Sequence, residues 1–134
     1  MKIIDASNQI VGRLSSTIAK SLMEGAEITV VNSKNAIVTG DPKMVTKKYK
    51  VKVERGDPHH GPFYPKTPEG ILKRSVRGMI PYKKSKGREA MKRLMIYSGN
   101  PKELKGEGIV KGKKDVECNF ITLGDLSKKL RGFE

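Results

Sequence analysis

The apolar positions change period twice within the first third of the chain. Residues 2–5, KIID, form a short run that suits a strand. Val11, Leu14, Ile18 and Leu22 then recur at helical spacing, so one stripe of an amphipathic helix is apolar. Ser7 or Asn8 offers a cap at its start. Gly25 falls just past its end, where a residue without Cβ takes left-handed backbone cheaply. The runs EITVVNS (27–33) and NAIVTG (35–40) are dense in Val, Ile and Thr, as strands are. A strand, a helix and a second strand in this order make a βαβ unit, whose crossover is long enough to join parallel strands and is right-handed. The pattern predicts an α/β domain with a parallel sheet at its N-terminal end.

Asp41-Pro42 supplies a cap and a first-turn proline for the segment DPKMVTKKYKVKVERG, with Val45, Tyr49 and Val53 at helical spacing. The same stretch alternates Tyr49, Val51 and Val53 with Lys48, Lys50 and Lys52, as a half-buried strand would; helix is the preferred reading. Residues 56–68, GDPHHGPFYPKTP, hold four prolines and two glycines and predict a loop. Thr67 caps and Pro68 opens a helix with Ile71, Leu72, Ser75, Val76 and Met79 on one side and Lys73, Arg74 and Arg77 on the other, ended by Pro81. After the spacer YKKSK, GREAMKRL predicts a second basic helix with Ala90, Met91 and Leu94 inward and Arg88 and Lys92 outward. LMIYSG reads as a strand, Asn100-Pro101 as a turn and residues 102–117 as a surface loop. The end, NFITLGDLSKKLRGF, reads as a strand, a Thr122 cap, a helix through Leu126 and Leu130, and a stop at Gly132. No internal repeat or linker interrupts the pattern, which predicts a single domain over 1–134 with a basic helical segment at 67–93.

Charge sharpens this picture. The 134 residues carry a net charge of +14 with an apolar share of 36%, a self-repulsion that a polyanionic partner such as nucleic acid explains. Residues 41–93 hold 16 bases and 5 acids (+11), against +1 before and +2 after. Within residues 73–93, nine bases face the single acid Glu89. The bland reading of such a run is a solvated face. Against it stand the scarcity of compensating acids, the one-sided placement on two successive helices and the basic linker between them. Each phosphate neutralised releases counterions and adds affinity. Tyr64, Tyr82 and Phe63 are candidates for stacking on unpaired bases, but aromatics are only 5% of the chain, so backbone and shape recognition should dominate. No apolar run long enough for a signal sequence or membrane span occurs, and no basic helix carries a Trp or Phe anchor for lipid, which predicts a cytosolic chain with no membrane partner. The lone Cys118 excludes an internal disulfide framework and suits a reducing compartment; its neighbours hold no base to activate it.

Candidate chemistry is thin. NQIVGRLSS places a glycine at a strand-to-helix turn, but neither GxGxxG nor GxxxxGK[ST] is present, so a phosphate cradle is missing. Gly12 is read as letting the helix approach the sheet, and Ser15 and Ser16 as solvated helix positions. His59 and His60 are adjacent and lack further ligands at metal-site spacing, so a loop pair near phosphate is the preferred reading over a metal site. Asp41, Glu69 and Asp125 fall at helix starts, where capping and the helix dipole account for them. No catalytic residue, metal, cofactor or small-molecule substrate is expected. An RNA-modifying enzyme and a DNA-packaging protein are the competing readings.

The stretch RSVRGMIPYKKSKGREAMKRLMIYSGNP resembles the signature region of the universal large-subunit ribosomal protein thirteen family: Gly78-Met79-Ile80-Pro81, a basic spacer, Gly87-Arg88 with Ala90, then Tyr97, Gly99, Asn100 and Pro101. IIDASNQIVGRLSS, AIVTG, GPFYPKTPEGILKR and FITLGDLS are similar to the archaeal and eukaryotic branch. The resemblance implies a three-layer α/β/α domain around a mainly parallel four-stranded sheet. It also implies binding to large-subunit ribosomal RNA, contact with neighbouring ribosomal proteins, a part in early subunit assembly, and no enzyme activity. Lys73, Arg74, Arg77, Lys83, Lys84, Lys86, Arg88, Lys92 and Arg93 are expected to neutralise phosphates, with Arg13 and Lys47 as outliers. Gly78 and Gly87 are expected to let backbone approach RNA or turn between helices, while Met79 and Pro81 fix the bend.

Overall fold

The computed structural model describes residues 2–55, 59, 64–100 and 119–131. In chain order these form β1 (Lys2–Asp5), α1 (Val11–Met23), β2 (Ile28–Val31), a single 3₁₀ turn (Ser33–Asn35), β3 (Ile37–Thr39), α2 (Pro42–Glu54), α3 (Pro68–Arg77), α4 (Ser85–Lys92), β4 (Leu94–Ile96), β5 (Phe120–Thr122) and α5 (Leu123–Leu130). The βαβ unit is present: β1 and β2 are parallel neighbours, and β4 adds on the far side of β2 in the order β1-β2-β4. The central strand ITVV is buried at all four positions, the continuous apolar run that a strand covered on both faces requires. In this register Ile4, Val30 and Ile96 share one side of the sheet with Ile28 and Leu94. The core also takes Leu14, Ile18 and Leu22 from α1, Ile71, Leu72 and Val76 from α3, and Leu123 and Leu126 from α5. Each such side chain contributes roughly 1.5–3 kcal/mol when fully buried.

The mixed α/β class with a parallel sheet agrees with the expected three-layer α/β/α arrangement, but the strands are shared out differently. Among the described residues three strands make the parallel sheet, and β3 pairs with β5 in a separate antiparallel ribbon, Val38 opposite Ile121. The chain leaves the sheet after β2 because Asn32 adopts φ +58° and the 3₁₀ turn redirects it; asparagine tolerates that left-handed geometry better than most residues. A single parallel bridge, Ile10 to Ile37, ties the ribbon to the start of α1.

Several local expectations hold. α2 is a helix, with Asp41 Oδ1 accepting the Lys43 N–H at 3.0 Å. Thr67 caps α3 through the Gly70 N–H and Thr122 caps α5 through the Asp125 N–H. Gly25 lies just after α1 with φ +97°.

Others are corrected. Neither Ser7 nor Asn8 caps α1; the cap position is Ile10, without a side-chain bond. Asp5 Oδ1 takes the Ser7 N–H at 2.9 Å, and Asn8, at φ +60°, donates its N–H to Asn35 O. Gly12 faces solvent and a Cβ there would meet nothing within 4 Å, so it does not admit the helix to the sheet. Ser15 is fully buried, unlike the exposed Ser16. Met79 lies past the end of α3 and is 48% exposed, because the helix closes at Gly78, three residues before Pro81. Ser85 and Lys86 of the expected spacer are the first residues of α4. The expected loop at 102–117, Cys118, the Gly132 stop and most of the Pro-rich loop, including His60 and Phe63, lie outside the described residues.

Candidate nucleic-acid interface

The basic segment is built by two short helices that lean on α1. α3 buries Ile71, Leu72 and Val76, so its helical period turns Lys73 fully outward and leaves Arg74 and Arg77 half-buried along its flank. It ends as the Gly78 N–H returns to Arg74 O, and Ile80, only 4% exposed, tucks the chain back toward the core. A turn carrying Lys83 and Lys84 leads into α4, whose buried side is Gly87 and Ala90 and whose open side is Lys86, Arg88 and Lys92. Gly87 sets the spacing between turn and helix. A Cβ built there would lie 2.0 Å from Pro81 O, 2.4 Å from Pro81 C and 2.9 Å from Tyr82 N, so only glycine lets the helix close on that peptide.

Aromatic rings hold part of the charge in place. The Arg77 guanidinium carbon lies 4.5 Å from the Tyr82 ring centre and that of Arg74 5.4 Å from Tyr64. Lys52 Nζ of α2 sits 4.7 Å from Tyr49 and 5.5 Å from Tyr64, and the two tyrosine rings meet edge to face at 6.0 Å. Such contacts contribute roughly 0.5–1 kcal/mol each when partly exposed and reduce the rotamer freedom lost when an anion arrives. Burial, with Tyr49 beside it, pushes the Tyr64 hydroxyl up to about 12 against the opposing pull of Arg74. Burial also raises Tyr49, and burial followed by the like charges of Lys48 and Arg55 lowers Lys52. Next to this cluster a cavity of about 350 Å³ opens between the Tyr64-Pro65 segment, α3 and Met91 of α4, with Lys73, Arg74 and Arg77 around it.

The site residues expected from sequence fall into three groups. Lys73, Lys83, Lys84, Lys86, Arg88 and Lys92 are exposed, and Gly78, Met79 and Pro81 are exposed at the bend between the helices. Arg74 and Arg77 lie against tyrosines. Arg93 turns inward, donating from a terminal guanidinium nitrogen to Leu22 O at the end of α1 at 2.5 Å, while its Nε is buried without a partner. Gly87 is buried against backbone of this chain. Arg13 on α1 and Lys47 on α2 are exposed but lie outside the α3–α4 segment. The Tyr49–Lys52 pair and the cavity walls Pro65 and Met91 were not singled out in sequence as parts of a site. Only the spacing of Tyr49 and Lys52, one turn apart on a helix, hinted at the pair. Among the described residues no three His, Cys, Asp or Glu side chains gather where a metal ion could sit, and His59 is exposed in a turn. No helix among the described residues is long and apolar enough to cross a membrane.

Comparison with known proteins places this geometry in a family. The family model for ribosomal protein L13 matches residues 1–103. The large ribosomal subunit protein uL13 of Thermoplasma acidophilum is 45% identical over 136 residues, covering 99% of this chain and 100% of the relative. The protein of the same name from Archaeoglobus fulgidus is 46% identical, covering 96% of this chain and 86% of the relative. That of Methanocaldococcus jannaschii is 42% identical, with 97% of each covered. Matched by the family model over more than half its length and by these relatives almost end to end, the chain belongs to the ribosomal protein L13 family.

Proposed function

We propose that this chain is a structural constituent of the large ribosomal subunit that binds large-subunit ribosomal RNA, touches neighbouring ribosomal proteins and supports early subunit assembly in the cytoplasm. Its family is one of structural ribosomal proteins, not enzymes. The observation that carries the RNA reading is the strongly basic stretch of α3, turn and α4. Six exposed cations, Lys73, Lys83, Lys84, Lys86, Arg88 and Lys92, stand there, and the only acids from residue 67 to 93 are Glu69 and Glu89. A field of that kind gains affinity chiefly through release of counterions condensed on phosphates.

Arg74 and Arg77 join the set from their tyrosine platforms, and the exposed Arg13 of α1 and Lys47 of α2 are proposed to add phosphate contacts of their own. The exposed Gly78, with no side chain, lets the backbone of the bend come close to RNA, with Met79 and Pro81 flanking it. Gly87 and Arg93 act from behind, one by letting α4 close on the turn and the other by fastening its end to α1. The whole of 1–134 is proposed to act as one RNA-binding domain. Sucrose-gradient fractionation of a lysate containing the tagged chain tests the reading. Co-migration with large subunits is expected, and a chain found only at the top of the gradient would overturn it.

A further inference from the structure

We propose that the cavity beside α3 receives one unstacked nucleotide of the bound RNA, its base against Tyr64 and Met91 and its phosphate on Lys73, Arg74 and Arg77. The inference deepens the RNA-binding reading and rests on it. At about 350 Å³ the space is of the size that holds small ligands, which begins at roughly 300 Å³. Its chemistry is divided. Tyr64, Pro65 and Met91 give apolar walls, while three cations stand around them. A bare phosphate would need only the cations and an apolar side chain only the walls; a nucleotide uses both.

The walls are also held in place. A Cβ on Gly70 would lie 2.7 Å from Pro65 Cβ and from Thr67 Oγ1, so glycine there keeps Pro65 against the helix. Tyr64 is braced edge-on by Tyr49, and Arg74 lies over its ring, forming a platform of ring and planar guanidinium. Single-stranded RNA is recognised in this manner, by splaying a base onto an aromatic or an arginine plane.

The test is an NMR titration of the full chain with adenosine 5′-monophosphate, ribose 5-phosphate and a diglutamyl peptide. Adenosine monophosphate should shift Tyr64, Met91 and Lys73 and bind about tenfold more tightly than ribose 5-phosphate, within what stacking one base supplies. Tyr64→Leu should abolish that preference and Tyr64→Phe should retain it. Equal binding of the two phosphates would overturn the proposal, as would shifts elsewhere on the molecule, or a glutamyl peptide that binds the same residues as tightly. A gel shift with an archaeal large-subunit ribosomal RNA transcript in the same buffer separates the two levels. If the transcript is bound while the small phosphates are not distinguished, only the nucleotide pocket falls; if the transcript is not bound, the RNA reading falls and the pocket with it.

Discussion

Gly87→Ala is the substitution for which the fold makes its sharpest demand. Alanine is the better helix former by about 1 kcal/mol and narrows the unfolded ensemble as well, so propensity alone predicts a more stable protein. The new methyl would stand 2.0 Å from Pro81 O and 2.4 Å from Pro81 C, more than 1 Å inside the roughly 3.5 Å at which carbon atoms begin to repel. Both neighbours are backbone, so no rotamer change relieves the overlap. Either the first turn of α4 unwinds or the Pro81-Tyr82 peptide moves. Overpacking of this kind costs about 3 kcal/mol or more at its upper end, which outweighs the propensity gain and leaves a net loss of about 2 kcal/mol. In a domain of this size that lowers Tm by roughly 6–10 °C. Gly12→Ala is the internal control: its Cβ meets nothing, so it should gain about 0.4–1 kcal/mol. Urea unfolding followed by circular dichroism on the two variants and the wild type is the assay. A Gly87→Ala protein as stable as wild type, or more so, would refute the reasoning.

Other perturbations read other parts of the account. Tyr64, raised to about 12, keeps its proton in the folded chain after the unfolded chain has lost it. The associated stability is therefore complete below pH 10 and disappears as pH climbs toward 12, amounting to about 1 kcal/mol once solvent screening of a half-exposed group is allowed for. Ultraviolet titration should show a late tyrosinate component whose latest part Tyr64→Phe removes, leaving the delay that burial gives Tyr49. Arg93→Met should cost about 1 kcal/mol in urea unfolding: the charged bond to Leu22 O is lost, but so is the burial of an unpartnered Nε. Arg93→Lys should recover part of it, since an ammonium donates but cannot fork. Thr67→Ala, which strips the cap from Gly70 N–H, should cost about 1 kcal/mol in the same assay.

What could be read from the chain and what could not divides along sequence distance. Thr67-Pro68, Asp41-Pro42 and Thr122 announce helix starts because a capping side chain reaches only two or three residues ahead. The stripe Val11, Leu14, Ile18, Leu22 announces α1 because one face of one element suffices to show it. The partner of β3 is β5, more than 80 residues on, so nothing near Ile37 revealed that this strand would leave the parallel sheet. Gly12 and Gly87 show the same limit: Gly12 faces solvent and Gly87 is wedged against Pro81, since the space a Cβ would fill is a tertiary property. The same holds for charge. Arg88 and Arg93 look alike in GREAMKR, yet one is exposed and the other is fastened to a carbonyl 71 residues away. The sequence marks Tyr64 as an aromatic in a loop able to stack on a base, but its setting depends on Tyr49 and Arg74 from two different helices.

One binding measurement tests most directly whether the basic face of α3 and α4 grips ribosomal RNA. The chain is titrated against an archaeal large-subunit ribosomal RNA transcript across a range of salt. With about six to eight phosphates engaged, log affinity against log salt should fall with a slope near −4 to −6. Lys73→Glu, Arg88→Glu and Lys92→Glu together should flatten that slope by about 2 and weaken binding by about 100-fold or more. The equal charge change at the exposed Lys20, Lys34 and Lys128 should do much less. If both triple variants bind alike, with the wild-type slope kept by the first, the basic face is not what holds the RNA.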